Sequence, residues 1–368
     1  MSDWYPIHNI DELDTPALAV YPERVAENIR ILKSFIPDAE RLCPHVKTHK
    51  SPEITKLLME SGVTCFKCAT VAEAEMLAMT GVQKIVLAYQ PVGPKVKRLM
   101  GLTKKYLSSD FYCLVDNLAS ATAIAHEFEK NNLTIGVYID LNVGMNRTGI
   151  KPADALTLYH QCRSLNGIHV IGLHAYDGHI RDSDVNTRTL RCDEAFEPVK
   201  TLRADIEKQS GKKMLVIAGG TPTFPIHAKR KEVLCSPGTF VYWDKGYQSI
   251  LPEQPFLFAA LVVTRVISKP TDGTICIDLG HKSIASENAL DKRVFFLNAE
   301  GLTPIGHSEE HMILKFDNSR SYTIGEVLYG VPYHICPTVA LHDRVAIVTD
   351  HRVAEHWTTL ARNRVISV

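Results

Sequence analysis

Lys47, His334 and Cys336 are the side chains whose types and spacing say most about chemistry. His334 and Cys336 stand in the segment Val-Pro-Tyr-His-Ile-Cys-Pro. Read as an extended strand, this segment sends both side chains to one face, because strand side chains alternate. Imidazole and thiolate together are a donor set that zinc favours, and two local ligands leave positions open, as in catalytic zinc sites. The alternative is a buried cysteine beside a hydrogen-bonded histidine. Lys47 lies in Pro44-His45-Val46-Lys47-Thr48-His49-Lys50. A lysine at the end of a short strand in a βα repeat can act through a Schiff base, although a surface lysine is commoner.

Other residues add to this set. Gly219-Gly220-Thr221 follows an apolar run. Its glycines would let backbone N–H groups approach a phosphate, and the threonine adds a hydroxyl donor; plain loop geometry is the alternative. Arg147 offers a permanently charged planar fork, for a ligand oxygen or for a surface ion pair. Tyr176 and His179 stand three apart in a loop, with His174 two before Tyr176. Tyr176 is read as a pocket residue, and each histidine as a pocket or structural group. Cys65-Phe66-Lys67-Cys68 has redox-motif spacing but lies in an apolar stretch before a helix-like run, which points to packing. Glu309, Glu310 and His311 either bind metal or substrate or form a solvated acidic turn.

The elements that must hold these residues alternate short apolar runs with amphipathic stretches from residue 14 to about 240. Ala17–Val20, Leu42–Val46, Lys84–Ala88, Phe111–Val115, Ile135–Leu141, Val170–His174 and Leu215–Ala218 read as strands. Pro22–Phe35, Ser51–Glu60, Ala119–Lys130 and Pro152–Arg163 read as helices, two of them opening on proline. Repeated βα units imply a parallel sheet. About eight of them suit a (β/α)8 TIM-like barrel, with function at the C-terminal strand ends. No dinucleotide fingerprint follows the first strand. Over 251–368 short strands dominate, with little helix between them, which predicts a mostly antiparallel β domain.

The chain has 368 residues, with 41 basic and 41 acidic side chains. That balance argues against nucleic acid as a partner. No apolar run is long enough to span a membrane, and the first residues do not read as a secretion signal. Nine scattered cysteines suit a reducing cytoplasm better than a disulfide framework.

Taken in order, the motifs form a series. Asp14-Thr15-Pro16-Ala17, the lysine motif Pro44–Lys50 and Asp140-Leu141-Asn142-Val143-Gly144-Met145-Asn146-Arg147-Thr148-Gly149 come first. Gly172–His179, Gly219-Gly220-Thr221-Pro222, Ser236-Pro237-Gly238-Thr239-Phe240 and His334-Ile335-Cys336 complete it. The series resembles the D-threonine aldolase and D-serine dehydratase family, which joins an alanine-racemase-like barrel to a β domain. The resemblance covers nearly the whole chain. It implies a barrel over 14–250 and a β domain over 251–368, joined by residues 1–13.

The resemblance also assigns roles. Lys47 would carry pyridoxal 5'-phosphate, with His45, Arg147, His174, Tyr176, Gly219, Gly220 and Thr221 binding it. Gly219–Thr221 would take its phosphate, and Arg147 would lie near the ring oxygen. The family often has tyrosine where this chain has Phe240, so Tyr242 is the candidate replacement near the pyridine nitrogen. Lys47, Tyr176 and His179 are the candidate catalytic residues. His334 and Cys336 would hold a divalent metal, zinc first, with manganese or magnesium as alternatives. The implied reaction is lyase chemistry on a small D-3-hydroxy amino acid, by β-elimination or retro-aldol cleavage, in a cytoplasmic homodimer. An amino-acid racemase and a non-catalytic pyridoxal-phosphate-binding protein are the competing readings, and the metal pair weighs against both.

Overall fold

A computed structural model describes residues 3–317 and 320–368. The chain divides into two compact units, Met1–Ile31 with Thr48–Glu53 and Thr239–Arg362, and Leu32–Lys47 with Ile54–Gly238 and Asn363–Val368.

The first strand, β1 (Ala17–Val20), was expected to open the barrel and does not. It pairs antiparallel with residues 260–263 and parallel with residues 346–347, inside the β unit. All but its first residue are buried. A short run with no exposed face carries no alternation to say which sheet it joins. Residues before it also belong to this unit, as in the His8 N–H to His351 O hydrogen bond of 2.7 Å. Helix α1 (Pro22–Phe35) follows, and α2 (Pro52–Glu60) comes after the lysine motif.

The barrel unit holds seven parallel strands in sequence order: β2 (Cys65–Cys68), β3 (Lys84–Leu87), β4 (Asp110–Val115), β5 (Ile135–Asp140), β6 (Ile168–Ala175), β7 (Leu215–Ala218) and β8 (Val233–Cys235). The segment 42–46 closes the ring. Cys43 N–H donates to Cys235 O at 2.8 Å on one side, and Val46 N–H to Lys67 O at 2.9 Å on the other. This segment therefore acts as the eighth stave, with Lys47 just past its C-terminal end.

Inside the ring, Cys43, Cys65, Val86, Leu114, Tyr138 and Ile217 form one apolar cluster. Cys65 Sγ lies 3.2 Å from Cys43 Sγ, and Cys68 points to Val86 O, so the Cys65–Cys68 spacing serves packing. All nine cysteines are free thiols. Helix α3 (Val71–Met79) starts sharply because Thr70 accepts from Glu73 N–H at 3.0 Å while Glu73 accepts from Ala69 N–H at 2.6 Å. This is a reciprocal cap at the strand end. Helices α4 (Pro94–Lys105), α5 (Leu118–Glu129), α6 (Pro152–Arg163), α7 (Val185–Ser210) and α8 (Phe224–His227) complete the βα alternation.

The β unit opens after a short helix, α9 (Lys245–Ile250), with β9 (Ala260–Ser268), β10 (Thr274–Ile277), β11 (Val294–Phe296), β12 (Thr303–His307), β13 (Met312–Lys315) and β14 (Val327–Pro332). Helix α10 (Ile335–Leu341) precedes β15 (Arg344–Thr349) and β16 (Arg352–Thr358). With β1 these strands make a nine-stranded sheet, antiparallel except for the β1–β15 pair. No helix among the described residues is long and apolar enough to cross a membrane.

Candidate active site

At the barrel mouth three cations converge on one aromatic ring. Lys47 Nζ stands 6.0 Å from the centroid of Tyr176, Lys67 Nζ 5.4 Å, and the Arg147 guanidinium carbon 5.2 Å. Like charges repel, so their convergence makes a positive pocket suited to an anionic ligand; the ring face offsets part of the repulsion. The backbone N–H of Lys47 donates to His45 Nδ1 at 3.3 Å, which fixes the turn carrying the lysine.

His174, at the end of β6, is buried and bonded through Nδ1 to Asp140 Oδ1 at 2.7 Å. Burial lowers the pKa of His174, and the charges of Lys67 and Arg147 lower it further against the pull of Asp140. The ring is therefore neutral, with Nδ1–H donating to Asp140 and Nε2 accepting from Lys67 Nζ at 3.5 Å. Burial works to raise the Asp140 carboxyl, but bonds from His174 and from Thr148 Oγ1 at 2.9 Å hold it below the usual range.

The glycine turn after β7 packs against the same tyrosine. Gly219 has φ +77°, a left-handed conformation that glycine adopts without strain. A Cβ on Gly220 would lie 3.0 Å from Tyr176 Cε2. Thr221 is buried, and its Oγ1 accepts from Gly238 N–H at 3.4 Å. A bare backbone turn at a late strand end, beside a ring flanked by cations, fits a phosphorylated aromatic cofactor.

His179 presses on Gly144, where a Cβ would lie 2.8 Å from its Nε2. Its Nδ1 is buried without a hydrogen-bond partner among the described residues, and burial lowers its pKa. It makes no hydrogen bond to Lys47, Arg147 or Tyr176 among those residues. Phe240 and Tyr242 belong to the β unit. Both are fully buried, and burial raises the Tyr242 phenol pKa.

In the β unit His334 and Cys336 do not share a strand, contrary to the expectation from spacing. His334 is extended at φ −139°, ψ 98° and immediately precedes α10, so Cys336 lies in that helix's first turn. Two features start the helix here. Asp244 Oδ2 accepts from Ile335 N–H at 3.2 Å, and Pro337 falls in the first turn, where its missing N–H costs nothing. The two side chains still meet through a hydrogen bond. Burial lowers the His334 pKa, but Cys336, Glu287 and Asp244 outweigh it, and the net shift is upward. Thr48 Oγ1 lies 3.1 Å from Cys336 Sγ, and Glu287 Oε1 bonds His334 Nδ1. An N/S donor pair on a half-exposed histidine, with a carboxylate beside it, fits a divalent metal with open positions. Glu309 and Glu310 are exposed partners of Lys282, the solvated turn of the two readings.

Another donor group lies in the barrel unit. Asp177, Cys192 and His227 bring an oxygen, a sulfur and a nitrogen within metal-ligand spacing. Arg230, however, donates to His227 Nδ1 at 2.7 Å, which leaves the proton on Nε2, donating to Asp177 at 2.9 Å. A metal on Nε2 would need the opposite tautomer, and burial pushes the Cys192 thiol up to about 12. This is a satisfied hydrogen-bond net.

Reasoning from sequence missed Lys67, Asp140, Asp244 and Glu287. Only Lys67 had a local signal, a lysine inside the apolar strand Cys-Phe-Lys-Cys.

A closed parallel barrel with a lysine past one stave, together with an antiparallel β unit, defines the alanine-racemase-like class. Residues 20–245 match the family described as "Alanine racemase, N-terminal domain", and residues 259–348 the "Putative serine dehydratase domain". The chain is 27% identical to D-threonine aldolase of Arthrobacter sp, over 95% of this chain and 93% of that one. It is 24% identical to D-threo-3-hydroxyaspartate dehydratase of Delftia sp. strain HT23, over 89% and 92%. The crystal structure of D-threonine aldolase from Filomicrobium marinum superposes with a TM-score of 0.88 at 26% identity, covering 98% of this chain and 99% of that one. The chain belongs to this D-threonine aldolase and D-serine dehydratase family. The family is pyridoxal-phosphate-dependent and metal-binding, and this chain is a lyase.

Proposed function

We propose that this protein cleaves D-3-hydroxy amino acids as a pyridoxal-phosphate- and divalent-metal-dependent lyase. The observation that carries the reading is the convergence of Lys47, Lys67 and Arg147 on the Tyr176 ring, beside the bare Gly219–Gly220 turn. Lys47 would hold the cofactor through Nζ, Gly219–Thr221 its phosphate, and Arg147 a ring oxygen. When bound, the cofactor supplies an electron sink for the bond that breaks at the substrate α-carbon. His45 anchors the Lys47 turn, and the Tyr176 ring covers one side of the pocket.

Protons fall to the chain's own groups. Once the substrate amine has displaced it from the cofactor, the freed Lys47 Nζ would take the α-proton in elimination. His179, kept neutral by burial, would accept a β-hydroxyl proton in retro-aldol cleavage. His334 and Cys336 would hold the metal, zinc by donor set, which would act as a Lewis acid on an oxygen ligand. Nine free thiols support a reducing, cytoplasmic location; a homodimer rests on the family resemblance alone, and sedimentation would measure it.

The test is product analysis with D-threonine and D-serine, with and without chelator. Glycine plus acetaldehyde identifies an aldolase, and 2-oxobutyrate or pyruvate with ammonia a dehydratase. Racemisation alone, or no product from metal-loaded holoenzyme, would overturn the reading. Borohydride reduction of the holoenzyme should fix the cofactor on Lys47, and Lys47→Ala should abolish the visible absorbance.

A further inference from the structure

Lys67 is 2% exposed and, among the described residues, has no carboxylate within ion-pair distance. Buried charges are ordinarily paired. Lys67 Nζ donates to Ser236 Oγ at 2.6 Å, lies 3.5 Å from His174 Nε2 and faces the Tyr176 ring at 5.4 Å. The nearby acids are committed elsewhere, Asp140 to His174 and Thr148, and Asp177 to His227 and Thr223. An ammonium has three donors. Ser236 and His174 account for two, which leaves one N–H on the side of the ring. Burial and the Lys47 charge push the pKa of Lys67 down to about 8, against the pull of Asp140 and Asp177. A structural role alone would be served more cheaply by a neutral side chain of the same length, because the desolvation cost of an ammonium would vanish. The Ser236 hydroxyl also donates to Gly219 O at 3.3 Å, so Lys67 is tied to the glycine turn as well as to His174.

We propose that Lys67 is a second ligand-binding lysine of the barrel, whose ammonium takes an anionic oxygen of the molecule bound over Tyr176. The oxygen belongs either to pyridoxal phosphate or to the carboxylate of the amino acid. The assignment rests on the functional reading above, and it makes the pocket selective for a ligand that brings a negative charge to this depth.

The experiment compares wild type, Lys67→Met and Lys67→Arg in three measurements. These are affinity for pyridoxal phosphate by visible absorbance, KM for D-threonine at saturating cofactor, and the melting temperature of cofactor-free protein. A loss of tenfold or more in cofactor affinity in Lys67→Met assigns the oxygen to the cofactor. Unchanged cofactor affinity with a tenfold rise in KM assigns it to the substrate. In either case Lys67→Arg should recover part of the loss. Cofactor-free Lys67→Met should melt no lower than wild type, because an unpaired buried charge has been removed. Unchanged affinity and KM, or a lower melting temperature in Lys67→Met, would overturn the assignment while leaving the lyase reading intact. Wild-type protein that takes up no pyridoxal phosphate would overturn both.

Discussion

Asp244 Oδ2 accepts from Ile335 N–H at 3.2 Å, while Oδ1 of the same carboxylate accepts from Tyr247 N–H at 2.8 Å. One buried side chain therefore caps α9 and holds the first turn of α10, where Cys336 sits. Asp244→Ala should cost about 2 kcal/mol, the sum of two cap bonds, in urea denaturation. It should also lower zinc affinity by loosening the His334–Cys336 turn. Burial raises the Asp244 pKa to about 6. The native carboxyl thus keeps a proton that the unfolded one loses near 3.8, and its contribution to stability falls as pH rises from about 4 to 6. Asp244→Asn keeps an acceptor without the buried charge, so it should lose less than Asp244→Ala at pH 7. Equal losses would show that both carboxylate oxygens are needed, because the asparagine amide turns an NH2 toward one of the two N–H donors.

A valine at Gly220 would drive its Cβ into Tyr176, at 3.0 Å from Cε2. The ring would have to tilt, and the approach to the backbone N–H groups would close. Gly220→Val is expected to weaken pyridoxal-phosphate binding by roughly tenfold, about 1.4 kcal/mol, with the barrel still folded by circular dichroism. Unchanged cofactor affinity would remove the phosphate role from this turn.

Much of this was legible locally. Pro22–Phe35 and Pro152–Arg163 each open on a proline whose fixed φ suits a first helical turn, and the observed helices have those bounds. Leu215–Ala218 was equally plain as an apolar run between turns. What escaped is non-local. β12 carries Pro304 and Gly306, and β16 is mostly exposed, so neither shows an apolar run. The Asp244–Ile335 bond joins residues far apart in sequence, and the Lys67–His174–Asp140 chain joins three different strands. Spacing could propose that His334 and Cys336 meet, but a cap from Asp244 decides that they do so at a helix start.

His49 should make the protein acid-sensitive. It is 1% exposed, its Nδ1 accepts from Ser51 N–H at 3.2 Å, and its Nε2 has no hydrogen-bond partner among the described residues. Burial pushes its pKa down to about 3. The unfolded chain takes up this proton near 6.5, whereas the native state resists until about 3. Stability therefore falls as pH drops through that window, by up to about 4 kcal/mol. His49→Phe should flatten the urea midpoint between pH 6.5 and 4. A variant with the wild-type pH slope would assign the acid sensitivity to other groups.

Metal content should follow Cys336 and not Cys192. Two protein ligands make a weak site, so a chelator should strip the metal without unfolding the barrel. Cys336→Ala removes the sulfur donor and leaves the Lys47 pocket residues untouched. It should keep the visible absorbance of bound cofactor while losing zinc and most lyase activity. Cys192→Ala should keep its zinc, because the Arg230 bond holds His227 in the tautomer that cannot ligate through Nε2. Zinc measured by atomic absorption after gel filtration decides between the two clusters. Metal lost from Cys192→Ala but retained in Cys336→Ala would move the site to Asp177 and His227. Full activity in metal-free Cys336→Ala would leave that cysteine a packing residue of α10.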